Sequence, residues 1–223
     1  MKKSIFVALA LTAASTLFCA AHAAVVVENT NFITTPTSFN GFEGIGAQDN
    51  FPANTVYSEG GINVQYVGSA NIWTTYTPYI GGQGSYGWYE NGGGVGFTQI
   101  TMANNSDFQN VQFLAGDGNA GHDIVAYELL ENGVVVSTGT TTDSNSPMAY
   151  VGFSGIGFNQ IDIQAIIPGS GGTSSFSPTN SDALAIDSIA VDQQQSNVPE
   201  PVSLALFALG LAGIAAMRHK RNS

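Results

Sequence analysis

Between Lys3 and Arg218 the sequence contains neither lysine nor arginine. All five basic residues (Lys2, Lys3, Arg218, Lys220 and Arg221) lie at the two ends, and all sixteen carboxylates lie between Glu28 and Glu200. Within that interior His122 is the sole basic side chain. Such a surface repels phosphate backbones, which excludes nucleic acid as a partner. It also cannot neutralise its own carboxylates by ion pairing, so dissolved cations or a bound metal are expected to take that role. Cysteine is almost as scarce. Cys19 stands alone, and a disulfide cannot contribute to the fold.

These absences also remove most catalytic chemistry. Without Lys, Arg or Cys in the body, Schiff-base, thiol and arginine-clamp mechanisms are ruled out. One histidine does not build a multi-histidine zinc site. No G-x-S-x-G elbow and no phosphate loop occur in the sequence. Only a carboxylate pair of the glycosidase kind remains. We therefore read the chain as non-enzymatic, with a carboxylate-dependent glycan-processing enzyme as the alternative.

What is present begins with a secretory signal over 1–23. Lys2 and Lys3 form its charged start, 5–18 its apolar core, and Ala21-His22-Ala23 a small-x-small cleavage site for signal peptidase. Phe18 is too bulky for a lipobox before Cys19, so cleavage after Ala23 removes that cysteine.

The body, 24–192, shows no helical period of useful length. It reads as short apolar or alternating runs punctuated by Gly, Asn, Ser and Thr, the pattern of antiparallel β structure. Strands are expected at 24–28, 38–43, 62–68, 97–102, 108–115, 123–131, 133–138, 148–154, 158–167 and 183–192. Asn132-Gly133 is the strongest two-residue hairpin signal. About ten short strands imply an all-β, antiparallel β-sandwich of jelly-roll type. A polar linker, 193–197, then leads to the C-terminal segment.

Three stretches of the body could carry chemistry. In the run from Ala183 to Val191 both strand faces are largely apolar, and strict alternation puts Asp187 beside Ala185, Ile189 and Val191. A buried carboxylate needs a partner. The options are main-chain N–H groups, a protonated state, or a hard cation with oxygen ligands, for which Ca²⁺ is the natural choice. Glu43, in Asn40-Gly41-Phe42-Glu43-Gly44, has a similar setting. First and last strands of sandwiches often lie side by side, so Glu43 and Asp187 are expected to share a structural Ca²⁺ site or to be satisfied by turn amides.

The second stretch, from Asp117 to Asp123 with Glu128 at the twelfth position, imitates an EF-hand spacing. It has His122 where glycine is obligatory and strands where helices should flank, so a solvated loop is the better reading. The third is aromatic. Trp73, Tyr76, Tyr79 and Trp88 fall in a Gly-, Thr- and Ser-rich region and could stack on sugar faces. The alternative is that they fill the core, as aromatics in strands commonly do.

At the C-terminus, Val198-Pro199-Glu200-Pro201 precedes an uncharged run over 202–217 with small Gly210 and Gly213, then Arg218, His219, Lys220 and Arg221. Sixteen residues make a helix of about 24 Å, against a hydrocarbon core of about 30 Å. The segment spans only with bilayer thinning or snorkelling of Arg218 and Lys220, and the basic tail marks the cytoplasmic side.

The segment 198–221, with Pro199, Glu200, Pro201, Arg218, Lys220 and Arg221 as its motif, closely resembles the PEP-CTERM sorting segment. The resemblance implies exosortase as partner, transient residence in the inner membrane of a Gram-negative bacterium, and release to the cell surface or extracellular matrix. Carriers of this segment tend to belong to bacteria that make exopolysaccharide and biofilm matrix. The body is similar to β-sandwich domains that often precede it, through Gly41-Phe42-Glu43-Gly44, 113–118, 127–133 and 185–189. Carbohydrate-binding jelly rolls share an early Glu and a late Asp at a structural calcium site, which by analogy supports Glu43 and Asp187. The reading is an exported structural or carbohydrate-interacting matrix protein.

Overall fold

The computed structural model describes residues 25–74, 81–90, 95–116, 124–142, 147–155, 157–166, 175–179 and 182–193. The expected signal, the 117–123 loop, Tyr76, Tyr79 and the sorting segment lie outside the described residues. No helix among the described residues is long and apolar enough to cross a membrane. The chain divides into two units, Met1–Gln193 and Gln194–Ser223, and the body belongs to the first.

The described body is all-β, with two antiparallel sheets packed as a sandwich. Its strands are β1 (Val26–Glu28), β2 (Ser38–Asn40), β3 (Tyr57–Glu59), β4 (Ile62–Gly68), β5 (Ile72–Trp73), β6 (Trp88–Glu90), β7 (Gly96–Met102), β8 (Asn110–Gly116), β9 (Ile124–Glu131), β10 (Val134–Thr142), β11 (Ala149–Ser154), β12 (Gln160–Ile166) and β13 (Ala185–Asp192). One sheet runs β1-β11-β8-β13-β6-β5, with β2 also paired to β13; the other runs β10-β9-β12-β7-β4-β3.

The alternation read from the sequence sets the inner faces. Val111, Phe113 and Ala115 of β8 share one buried cluster with Ile161, Ile163 and Ala165 of β12 and Ile62, Val64 and Tyr66 of β4. Burying both inner faces against each other provides the driving force, at about 25 cal/mol per Å² of apolar surface removed from water. The β9–β10 hairpin forms at Asn132-Gly133, where φ is 51° and 79°. Two positive φ values match the right-handed twist of the flanking strands, which is why Asn-Gly specifies this turn. Strands β3, β5 and β6 were not expected. They are two or three residues long, too short for a periodic signal.

The last strand holds the key irregularity. Against β8, β13 is regular at Ala185–Asp187 and again from Ala190, with a register shift between Asp187 and Ala190. Ser188 there has φ 52°. A bulge of this kind re-aims side chains and breaks the two-residue period. Thus Ile186, Ile189 and Val191 join the main core, while Ala185 packs in a second cluster with Leu114 and Met148. The expected sharing of one face by Asp187, Ile189 and Val191 is corrected: the bulge separates them. It also divides the other edge of β13, which pairs with β6 at Ala185–Ile186 and with β2 from Ile189 to Val191.

Candidate functional site

The gap along β13 between β6 and β2 is closed by the loop that precedes β6, and two carboxylates hold that loop. The Gln83 N–H donates to Asp187 Oδ2 at 2.6 Å, and the Ser188 N–H donates to Asp187 Oδ1 at 2.6 Å. On the other side, the Ser85 N–H donates to Glu43 Oε1 at 2.7 Å and the Tyr86 N–H reaches the same oxygen at 3.4 Å. Gly84 lies between these donors with φ +74°, and a Cβ there would sit 1.9 Å from Glu43 Oε1. Only glycine allows this approach.

Glu43 is positioned in turn by another carboxylate. The Glu59 side chain accepts from the Gly41 N–H at 3.1 Å and the Gly44 N–H at 2.9 Å, and from the Tyr57 hydroxyl. These donors, against the cost of desolvation, hold Glu59 below the usual carboxylate range. Asn40 Oδ1 accepts from the Phe42 N–H at 3.0 Å, fixing Phe42 at φ 61°. A left-handed conformation costs a non-glycine residue roughly 1–2 kcal/mol. Hydrogen bonds to a charged group contribute about 1.5–3 kcal/mol each, so the carboxylate contacts outweigh the strain at Phe42 and Ser188.

The structure brings the exposed Glu43 and Asp187 to opposite sides of one loop, but not through adjacent first and last strands: the first strand, β1, pairs with β11, and it is β2, just before Glu43, that pairs with β13. Asp187 is fully buried. Desolvation pushes its pKa up to about 7, its two N–H donors oppose this, and the Glu43 charge raises it further. No lysine, arginine or histidine exists among the described residues. No cluster of three or more His, Cys, Asp or Glu with metal-holding geometry is found among them either. Any cation here would be held by these two carboxylates in competition with the N–H donors that Asp187 Oδ1, Asp187 Oδ2 and Glu43 Oε1 already accept.

The aromatic candidates separate. Trp88 is 1% exposed; its ring stacks on Phe42 at 5.8 Å and meets Phe51 edge-on at 5.6 Å. Its Nε1–H donates to Thr98 Oγ1 of the facing sheet at 3.2 Å. The ligand reading of Trp88 is corrected: on β6 it alternates inward with Glu90, so no sugar reaches its face. Trp73, on β5, is half-buried, with its ring 6.3 Å from Tyr89 in a tilted pair. Glu128 lies within β9, opposite Asp162 and Thr138, not at the end of a loop.

Three carboxyl groups outside the candidate set matter. Glu59 is one. Glu90 is fully buried, accepts from the Leu184 N–H at 3.0 Å, and is driven by burial well above the usual range, with Leu184 and the Tyr66 hydroxyl opposing. Asp162 is raised to about 6, mainly by burial, with Gln160 and Gln99 opposing and Glu128 adding to the rise. Nothing in Trp88-Tyr89-Glu90 flags an inward acid. The glycines flanking Gln83 were the available signal for the clamped loop.

Residues 197–221 match the PEP-CTERM protein-sorting motif. The chain ends in a PEP-CTERM sorting motif. It is thereby targeted for export, anchored in the membrane before cleavage and processed by exosortase. No curated protein matches the sequence. Among solved structures, a DUF4465 family protein from Bacteroides caccae is similar at 12% identity and TM-score 0.38, covering 76% of this chain and 100% of that one. That degree of likeness carries no functional argument.

The raised pKa of Asp187 gives a pH prediction with a definite sign. The folded state holds a proton that the unfolded state has released, so metal-free stability is full below about pH 4 and falls as pH rises through about 7. Asp162 and Glu90 act in the same direction; Glu59 acts oppositely and only at lower pH. In chelator, the melting temperature should decline across that window, and Asp187→Asn should flatten the decline. Equal slopes in the two proteins would refute the assignment.

Proposed function

We propose that this exported protein is a non-enzymatic structural module of the cell surface or extracellular matrix, released there after exosortase acts. Its carrying observation is that the carboxyls most perturbed by burial are engaged in holding the fold. Asp187 binds Gln83 and Ser188 N–H groups, Glu90 binds the Leu184 N–H, and Asp162 receives Gln99 and Gln160. Groups so engaged serve rigidity better than turnover. A rigid acidic body suits an exopolysaccharide-rich matrix, and among the described residues the Trp73–Tyr89 ring pair is the contact offered to a sugar face.

The same reading includes a structural Ca²⁺ between Glu43 and Asp187. What supports it is that Glu43 and Asp187 flank one loop closely enough for the Glu43 charge to raise the Asp187 pKa, and that no basic side chain exists among the described residues. Bound cation would keep both groups ionised at neutral pH and remove the cost of burying Asp187 charged.

Two measurements test this. Fractionation of cultures should place the protein, without its Arg218–Arg221 tail, in the washed exopolysaccharide matrix, and Trp73→Ala should shift it into the soluble fraction with its melting temperature kept. Wild-type protein that stays soluble, or a variant retained equally, would contradict the matrix contact. Second, Ca²⁺ at about a hundredfold above its Kd should raise the melting temperature at pH 7 by about 5–10 °C. Glu43→Gln should abolish that rise, and no rise in the wild type would sink the site.

A further inference from the structure

Asparagine followed by glycine is chemically the least durable pair in a main chain, because no side chain shields the glycine nitrogen from the preceding side-chain amide. The sequence has three such pairs, at 40–41, 91–92 and 132–133. The second lies outside the described residues. The other two fold into opposite settings. Asn40 is fully buried at the end of β2. Its Nδ2 donates to Ile62 O at 3.3 Å, and its Oδ1 accepts from the Phe42 N–H at 3.0 Å. The Gly41 N–H, the group that would attack, donates to Glu59 Oε1 at 3.1 Å.

Asn132 and Gly133 stand exposed at the tip of the β9–β10 hairpin. Gly133 falls outside the ladder, which resumes with Val134 opposite Glu131, and a Cβ built on it would meet nothing within 4 Å. The Asn132 Nδ2 donates to Glu131 Oε1 at 2.7 Å, and its Oδ1 accepts from Asn159 Nδ2 at 3.2 Å. Both contacts are exposed, so water competes for them.

We propose that Asn132 is a site of spontaneous deamidation, and that the fold protects Asn40 from the same reaction. The Gly133 nitrogen bonds to Asn132 Cγ and closes a succinimide ring. The Cγ–Nδ2 bond breaks, and the nitrogen leaves as ammonia with the proton that Gly133 gives up. Water then opens the ring at either carbonyl, leaving aspartate or isoaspartate with no change of oxidation state. Ring closure turns the peptide plane between Asn132 and Gly133, which moves only the hairpin tip. At Asn40 the same rotation would pull Gly41 off Glu59 and release the turn that presents Glu43. An exposed tip opens far more readily than a buried strand end.

The product has consequences for the hairpin. Aspartate at 132 replaces the amide donor beside Glu131 with a second carboxylate, in an interior sequence without lysine or arginine to offset it. Isoaspartate lengthens the main chain of a turn whose two positive φ values match the twist of its strands. The reaction needs water alone and is independent of any calcium or sugar contact.

The test holds the full-length protein at mildly alkaline pH over weeks and maps it by mass spectrometry after chymotrypsin, since trypsin finds no site in the body. Asn132 should convert to aspartate and isoaspartate at least about tenfold faster than Asn40, because a buried pair waits for local opening. In denaturant the Asn40 rate should rise to meet that of Asn132. Equal rates at the two pairs in the folded protein, or an Asn132 that stays intact there while the denatured chain reacts, would overturn the proposal.

Discussion

Among the described residues, the buried and half-buried carboxylates have no basic side chain to meet, and the rest of the architecture follows from how they are satisfied instead. Main-chain N–H groups serve as the counter-charges. Glu59 gathers Gly41 and Gly44, which presents Glu43; Glu43 gathers Ser85 and Tyr86; Asp187 gathers Gln83 and Ser188. Three segments far apart in sequence are thereby tied to the last strand. A main-chain donor is fixed in place by the fold, so each such bond also orders backbone that would otherwise be an irregular loop.

This arrangement fits a protein that is exported and processed at its C-terminus. Solvent ions outside the cell supply cations that the sequence does not. The sorting motif determines handling, and the sandwich determines what is delivered.

Much of the fold was legible in the residues. The Asn132-Gly133 turn, the inward faces of β8 and β12, and the closeness of Glu43 to Asp187 all follow from local chemistry and from the pairing of early and late strands. Other features depend on non-local geometry. The bulge at Asp187-Ser188 inserts no recognisable residue, since serine at positive φ is uncommon, and one extra residue reverses the faces that follow. Trp88 and Glu90 sit on a three-residue strand whose direction is set by β13 and β5. Either face of Trp88-Tyr89-Glu90 could have been the inner one by composition. The aromatic residues therefore left a sugar-stacking surface and a filled core both open, and Trp88 belongs to the core.

The central claim is that burial pushes the Asp187 carboxyl up to about neutrality, with main-chain N–H donors opposing the rise and no basic side chain among the described residues to cancel it. The most direct measurement is a carbon-detected NMR titration of the Asp187 side-chain carboxyl in metal-free protein, assigned by comparison with Asp187→Asn. Its midpoint should lie near 7. A midpoint at the ordinary aspartate value of about 3.9 would contradict the account.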